Sequence, residues 1–181
     1  MRPKRLLPIA VFLICLSAFA QISNAPTTPT VTVAPIAPVT IERGKAGTFS
    51  VDVRIAAGFH INSNKPKDEY LIPTTLKMDP PSDVVITLIK YPQGEDLAFP
   101  FSPDQKINVY SGDITIHGVI KAMSTSGTGT YRVHGALKYQ ACDNAACYPP
   151  KSVPLQFEVK INKGTPPKRH RNPAQSPNAG R

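Results

Sequence analysis

The sequence predicts an all-β protein, an antiparallel β-sandwich of seven to nine strands, and three observations carry that expectation. Several segments alternate apolar and polar residues with a period of two, which marks strands with one buried and one wet face. No segment carries an apolar stripe at the 3.6-residue helical spacing, and prolines interrupt most windows long enough to hold one. Gly, Pro, Asn and Asp separate the alternating runs, as turns between short strands require.

The amino terminus comes first because it sets the compartment. Met1 to Arg5 is a short basic segment, and Leu6 to Ala20 is a nearly unbroken apolar run. Small-residue patterns suited to cleavage come next, at Ala18-Phe-Ala20 and Ser23-Asn-Ala25. Residues 1–25 therefore read as a secretory signal peptide, cleaved after Ala20 or Ala25. The apolar run falls short of the roughly 20 residues of a membrane-spanning helix. Cys15 lies behind the bulky Ile14, where a lipoprotein signal would place a small residue, so Cys15 is expected to leave with the signal. The mature chain is expected to be soluble and periplasmic or otherwise exported, where disulfides persist.

Residues 26–162 are the size of one domain with its own core. Val31 to Glu42 reads as the first strand. Thr48 to Ile55 alternates Phe49, Val51, Val53 and Ile55 against polar neighbours. Leu71 to Met78, Val84 to Tyr91 and Ile107 to Tyr110 read as further strands. Asp113 to Lys121 starts by alternating and then gains Gly118, as at a bulge or bend. Tyr131 to Tyr139 alternates, with Gly135 as a weak point. Ser152 to Ile161 puts Val153, Leu155, Phe157, Val159 and Ile161 on one face, and Pro154 places the start of that strand at a sheet edge. The absence of tryptophan and of a widely spaced cysteine pair argues against an antibody-type domain, leaving an immunoglobulin-like sandwich in the wider sense.

Charge separates this body from the carboxy-terminal tail. Of the 21 basic residues, Arg2, Lys4 and Arg5 belong to the signal, and six more come after the last acidic residue, Glu158. Between them the body is electrically balanced, twelve basic against twelve acidic. No basic stripe interleaved with aromatics suggests nucleic-acid binding. Residues 163–181 are basic and Pro-rich without hydrophobic periodicity, and read as a disordered tail. Its alternative role is a weak contact with an anionic membrane or cell-wall polymer.

Two cysteines remain after signal removal, Cys142 and Cys147, with four residues between them. A pair that close can form a disulfide across a tight loop or cycle between dithiol and disulfide. So short a ring constrains few unfolded conformations and stabilises less than the roughly 3 kcal/mol of a 15-residue loop. Spacing alone leaves the structural and redox roles open. Two thiolates without nearby histidines make an incomplete zinc site, and copper(I) is the minor alternative, so no metal and no cofactor is expected. His60, His117 and His134 read as ordinary strand residues. Hydrolase elbows, phosphate loops, zinc-protease helices and dinucleotide fingerprints are missing from the sequence.

The stretch Tyr139-Gln-Ala-Cys142…Cys147-Tyr-Pro-Pro150, with Val153-Pro-Leu155 after it, resembles the amino-terminal periplasmic domain of the DsbD thiol–disulfide interchange proteins. Weaker similarity runs back through Gly58-Phe-His-Ile-Asn62 and Tyr91-Pro-Gln-Gly-Glu-Asp96 to Val109-Tyr110. The resemblance implies an immunoglobulin-like fold whose cysteine pair relays electrons between thioredoxin-fold periplasmic proteins, fed by a membrane reductase. It implies Cys147 as the sulfur that bonds the partner and Cys142 as its resolving mate. Tyr139, Gln140, Tyr148, Pro149 and Pro150 flank that site. It also implies a cap that shields the cysteines, matched here by Glu95 and Asp96 with Phe99, or with Phe101 as a second candidate. The family pattern has five residues between its cysteines where this chain has four. The 181 residues include no stretch resembling the family's reductase or thioredoxin-like domains, so the implied donor is a separate protein.

Asp143 beside Cys142 would oppose a thiolate there, and no cation stands between the cysteines to favour one. The expected chemistry is thus an exchange driven by partners rather than by a strongly activated nucleophile. The alternative is a protein-binding module with a static structural disulfide.

Overall fold

The computed structural model describes residues 30–164, so the expected signal segment and nearly all of the basic tail lie outside the described residues. The alternating runs form strands in chain order: β1 (Val31–Val33), β2 (Val39–Glu42), β3 (Ala46–Ile55), β4 (His60–Asn62), β5 (Thr75–Asp79) and β6 (Val84–Lys90). After them come β7 (Glu95–Phe99), β8 (Ser102–Tyr110), β9 (Asp113–Ala122), β10 (Gly129–Tyr139), β11 (Ala141–Cys142) and β12 (Lys151–Asn162). Among the described residues there is no helix, and so none long and apolar enough to cross a membrane.

Two four-stranded sheets, ordered β1-β3-β9-β6 and β2-β12-β10-β5, face each other as the expected immunoglobulin-like sandwich. Their inner faces meet through residues such as Val51, Ile116, Ile120, Val133, Leu137 and Val159, all fully buried. Phe49 of one sheet stacks on Phe157 of the other with ring centroids 4.9 Å apart. Burial of each such side chain contributes roughly 1.5–3 kcal/mol, which makes this interface the main stabilising element. All pairings are antiparallel except β2 with β12, which run parallel over Val39–Glu42 and Val159–Asn162.

The third sheet, ordered β11-β4-β8-β7, lies where strands run out of the sandwich. Strand β10 passes through Gln140 into β11, and β3 leads through a turn at Gly58 (φ +82°) into β4. Strand β8 returns to β9 through Gly112 (φ +64°), a left-handed conformation that glycine adopts without a Cβ clash. Phe99, Ile107 and Val109 form a separate small core under this sheet.

Several strand expectations change in detail. Val31 to Glu42 is two strands in different sheets, because Pro35 and Pro38 break the run. Leu71 to Met78 shrinks to β5, which starts after Pro73, and Ile107 to Tyr110 extends back to Ser102. Strands β4, β7 and β11 carry no clear alternation and go beyond the expected set; with the divided first strand they raise the segments to twelve among the described residues. Pro154 does lie on an edge, since β2 covers β12 only from Val159 onward.

Gly118 makes no bulge. It pairs regularly with Phe49 on one side and Ile89 on the other, and the irregularity falls in β6 between Ile86 and Leu88. Glycine is needed there for another reason: a Cβ at position 118 would lie 2.1 Å from the Phe49 ring. That ring is wedged against Phe157. Gly118→Ala is therefore expected to lower unfolding stability by about 1–3 kcal/mol through overpacking. Urea titration checks this, and an unchanged midpoint would contradict it.

Candidate functional site

Cys142 and Cys147 are bonded to each other, with Cα atoms 4.0 Å apart. The site is built as a row across three backbone segments. Cys142 pairs in register with His60 of β4 on one side and makes an antiparallel bridge with Cys147 on the other. Cross-strand partners project to the same face of a sheet, so His60, Cys142 and Cys147 line up together. Cys142 is 1% exposed, whereas Cys147 is partly exposed. Of the two sulfur-bearing residues, Cys147 is the one that solvent reaches.

The hairpin that carries the bond is held by its own hydrogen bonds. The Tyr148 amide donates to the Ala141 carbonyl at 2.8 Å, and the Asp143 amide donates to the Ala146 carbonyl at 3.0 Å. The Asp143 carboxylate accepts from the amides of Ala145 (2.7 Å) and Ala146 (2.9 Å), an Asx-type turn, and from the Tyr148 hydroxyl. These donors, the Tyr148 hydroxyl first, hold the Asp143 carboxyl below the usual carboxylate range. The carboxylate expected to repel a thiolate at Cys142 is thus engaged in shaping the loop.

Gln140 ties the hairpin to the rest of the sheet. Its Nε2 donates to the Tyr148 carbonyl at 3.2 Å, and its Oε1 accepts from Asn62 Nδ2 at 3.1 Å and from the Ile72 amide at 3.3 Å. Asn62 is fully buried and also donates to the Ile72 carbonyl at 3.0 Å. Gln140 therefore spans β4, the 72 region and the far side of the cysteine loop with one side chain.

A stack of rings lies against His60. Phe99, at the end of β7, lies on the His60 imidazole with centroids 4.0 Å apart and planes 16° from parallel. Phe101 stacks on Phe99 at 5.3 Å. Phe99 is buried and Phe101 is exposed, so Phe99 is the inner layer and Phe101 the outer one. Phe99 meets the cysteine row by way of His60. Asp96 points elsewhere: it accepts from Asn108 Nδ2 at 2.7 Å and pairs with Lys67, anchoring β7 to β8 and to the 67 region. Those donors, Lys67 first, hold its carboxyl below the usual range. Glu95 is exposed on the same strand.

The flanking residues separate into two groups. Tyr148 is exposed, its ring tilted against Phe59 at 6.0 Å, and Pro149 and Pro150 are exposed beside it. Tyr139 points the other way, into the main core at 3% exposure. Sequence reasoning missed His60, which is 4% exposed with Nε2 buried and without a hydrogen-bond partner. It also missed Asn62. Their signal was the segment Gly58-Phe-His-Ile-Asn62, two polar residues bracketing an isoleucine in a strand buried throughout. His117 and His134 are exposed strand residues away from this row.

No protein-family model matches the sequence, and no curated protein matches it. Among solved structures, the chain is similar to the reduced DsbD amino-terminal domain of Neisseria meningitidis at 22% identity and TM-score 0.42, over 73% of this chain and 86% of that one. The amino-terminal periplasmic domain of ScsB from Proteus mirabilis aligns at 14% identity and TM-score 0.46, over 70% of this chain and 44% of that one. A type I cohesin from Pseudobacteroides cellulosolvens aligns at 12% identity and TM-score 0.45, over 78% and 98%. Function is therefore read from the site itself.

Two outcomes are expected from the ring stack. Burial lowers the His60 pKa below its ordinary value, with the Asp143 charge acting in the opposite direction. The unfolded chain therefore takes up a proton near pH 6.5 that the folded chain takes up only at lower pH, so stability present above pH 6.5 is lost as pH falls below it. His60→Phe should remove part of that loss; denaturant melts at pH 7.5 and 5.5 with the same pH dependence in both proteins would contradict it. Phe99→Ala should speed alkylation of the reduced cysteines by iodoacetamide severalfold. An unchanged rate would remove Phe99 from the site.

Proposed function

We propose that this chain is an exported thiol–disulfide exchange module that passes electrons through Cys142 and Cys147 to or from thioredoxin-fold proteins. The observation that carries this reading is the redundancy of the bond. The hairpin is already closed by the Tyr148–Ala141 and Asp143–Ala146 backbone bonds, the Asp143 turn and Gln140. A covalent link across so small a ring adds about 2 kcal/mol in the chain-entropy account. It can therefore open and close while the fold persists.

Partial exposure of Cys147 beside a buried Cys142 supports a division of labour. An incoming thiolate attacks the Cys147 sulfur; the mixed disulfide forms as the Cys142–Cys147 bond breaks, and Cys142 leaves as a thiolate. Exposed Tyr148 and Pro149 follow Cys147 directly in the chain and would be among the first surface a partner meets. The thioredoxin-fold class of partner rests on the Tyr-Gln…Cys…Cys-Tyr-Pro-Pro resemblance, as does a membrane reductase as the source of electrons. Burial of Cys142 favours the second reading, a binding module with a static disulfide.

Reduction separates the two. Reduced thioredoxin should open Cys142–Cys147 in the native protein, and the dithiol form should keep its β-sheet circular dichroism and a cooperative urea transition. Resistance of the native bond to thioredoxin, or an unfolded dithiol form, would leave the static disulfide as the reading.

A further inference from the structure

We propose that His60 is the proton acceptor for Cys142 during disulfide exchange, an inference that rests on the thiol–disulfide reading above. Three observations place it there. His60 and Cys142 are a register pair of an antiparallel ladder, which puts their Cβ atoms about 4.5–5.5 Å apart on one face. The imidazole is 4% exposed and its Nε2 has no hydrogen-bond partner, a costly arrangement for a buried polar nitrogen unless the site uses it. Phe99 lies flat on the ring, with centroids 4.0 Å apart, and restrains its plane.

The chemistry needs such a group at Cys142 rather than at Cys147. When the reduced module meets a disulfide, the Cys147 thiolate attacks one sulfur, forms a mixed disulfide and expels the first thiolate. Cys142 must then lose its proton and attack the Cys147 sulfur. The Cys142–Cys147 bond forms, the mixed disulfide breaks and the second thiolate leaves. Two electrons pass from the cysteine pair to the partner disulfide, which ends as two thiols once each has taken up a proton. Cys147 can lose its proton to water, but Cys142 is buried, and burial disfavours a thiolate. A neutral imidazole on the same face accepts that proton and delivers it to the departing thiolate. His60 stays neutral because burial lowers its proton affinity. The charged group that faces it is Asp143, from the hairpin, which stabilises the imidazolium formed in passing. The neighbouring Phe99 and Asn62 carry no charge, and the Tyr148 hydroxyl is engaged by Asp143.

The test is release of the coloured thiolate from 5,5′-dithiobis(2-nitrobenzoate) by the reduced protein. A first phase reports attack by Cys147 and a second reports resolution by Cys142. At pH 7 even an exposed thiol, of ordinary pKa near 8.5, is only a few per cent thiolate and a buried one less so, and loss of the acceptor should slow the second phase at least tenfold. His60→Phe, which keeps a ring under Phe99, should do this while leaving the first phase within twofold. Its second-phase rate should also rise in proportion to hydroxide concentration, where the wild-type rate levels off. His60→Asn serves as an independent variant should the phenylalanine impair folding. An unchanged second phase and pH profile in either folded variant would overturn the inference and leave the exchange reading standing. Absence of both phases in the wild-type dithiol would instead remove the exchange reading itself.

Discussion

The pairing of Cys142 with His60 is the constraint on which the site depends. It exists because β10 leaves the sandwich at Gln140 and continues into the third sheet as β11, beside β4, which continues from β3. The two rigid sheets therefore deliver the cysteine and the histidine to one row. A sandwich held by stacked Phe49 and Phe157 and by buried Val, Ile and Leu side chains fixes where those strands exit. A site supported in this way is positioned by the main core rather than by its own few contacts.

Around that row, polar and aromatic groups have separate tasks. Gln140 and Asn62 lock the hairpin to β4 and to the 72 region, while Asp143 shapes the turn. Phe99 stacks on His60 and Phe101 on Phe99, and Asp96 with Lys67 and Asn108 holds the strand that carries Phe99. The acidic residue and the phenylalanine thus act together, although only the ring touches the row. None of these contacts is made by the cysteine side chains themselves.

The main sandwich was legible because its strands are long and half-buried. In β3, β10 and β12 the alternation of Val, Phe and Leu with Thr, Lys and Arg is imposed by one face meeting the core and the other meeting water. The site sheet was not. Strand β4 is three residues buried on both faces, β11 is two residues, and β7 is exposed until Phe99, so none displays a period. The cysteines and their flanks stood out by residue type, and Phe99 by its place after Glu95 and Asp96. His60 did not, because a lone histidine in a short strand acquires meaning only from the register that sets it beside Cys142. Gly118 failed for a related reason: its partner, the Phe49 ring, is distant in the chain and visible only after packing.

A Cys142–Cys147 bond that is used in exchange, rather than merely kept, must be reducible under physiological conditions. The reduction potential of this pair, measured by equilibration of the native protein with glutathione or dithiothreitol buffers, tests it most directly. A value above about −300 mV is expected, within the roughly −180 to −270 mV range of exchange proteins. A value well below about −300 mV would place the bond with structural disulfides and contradict the account.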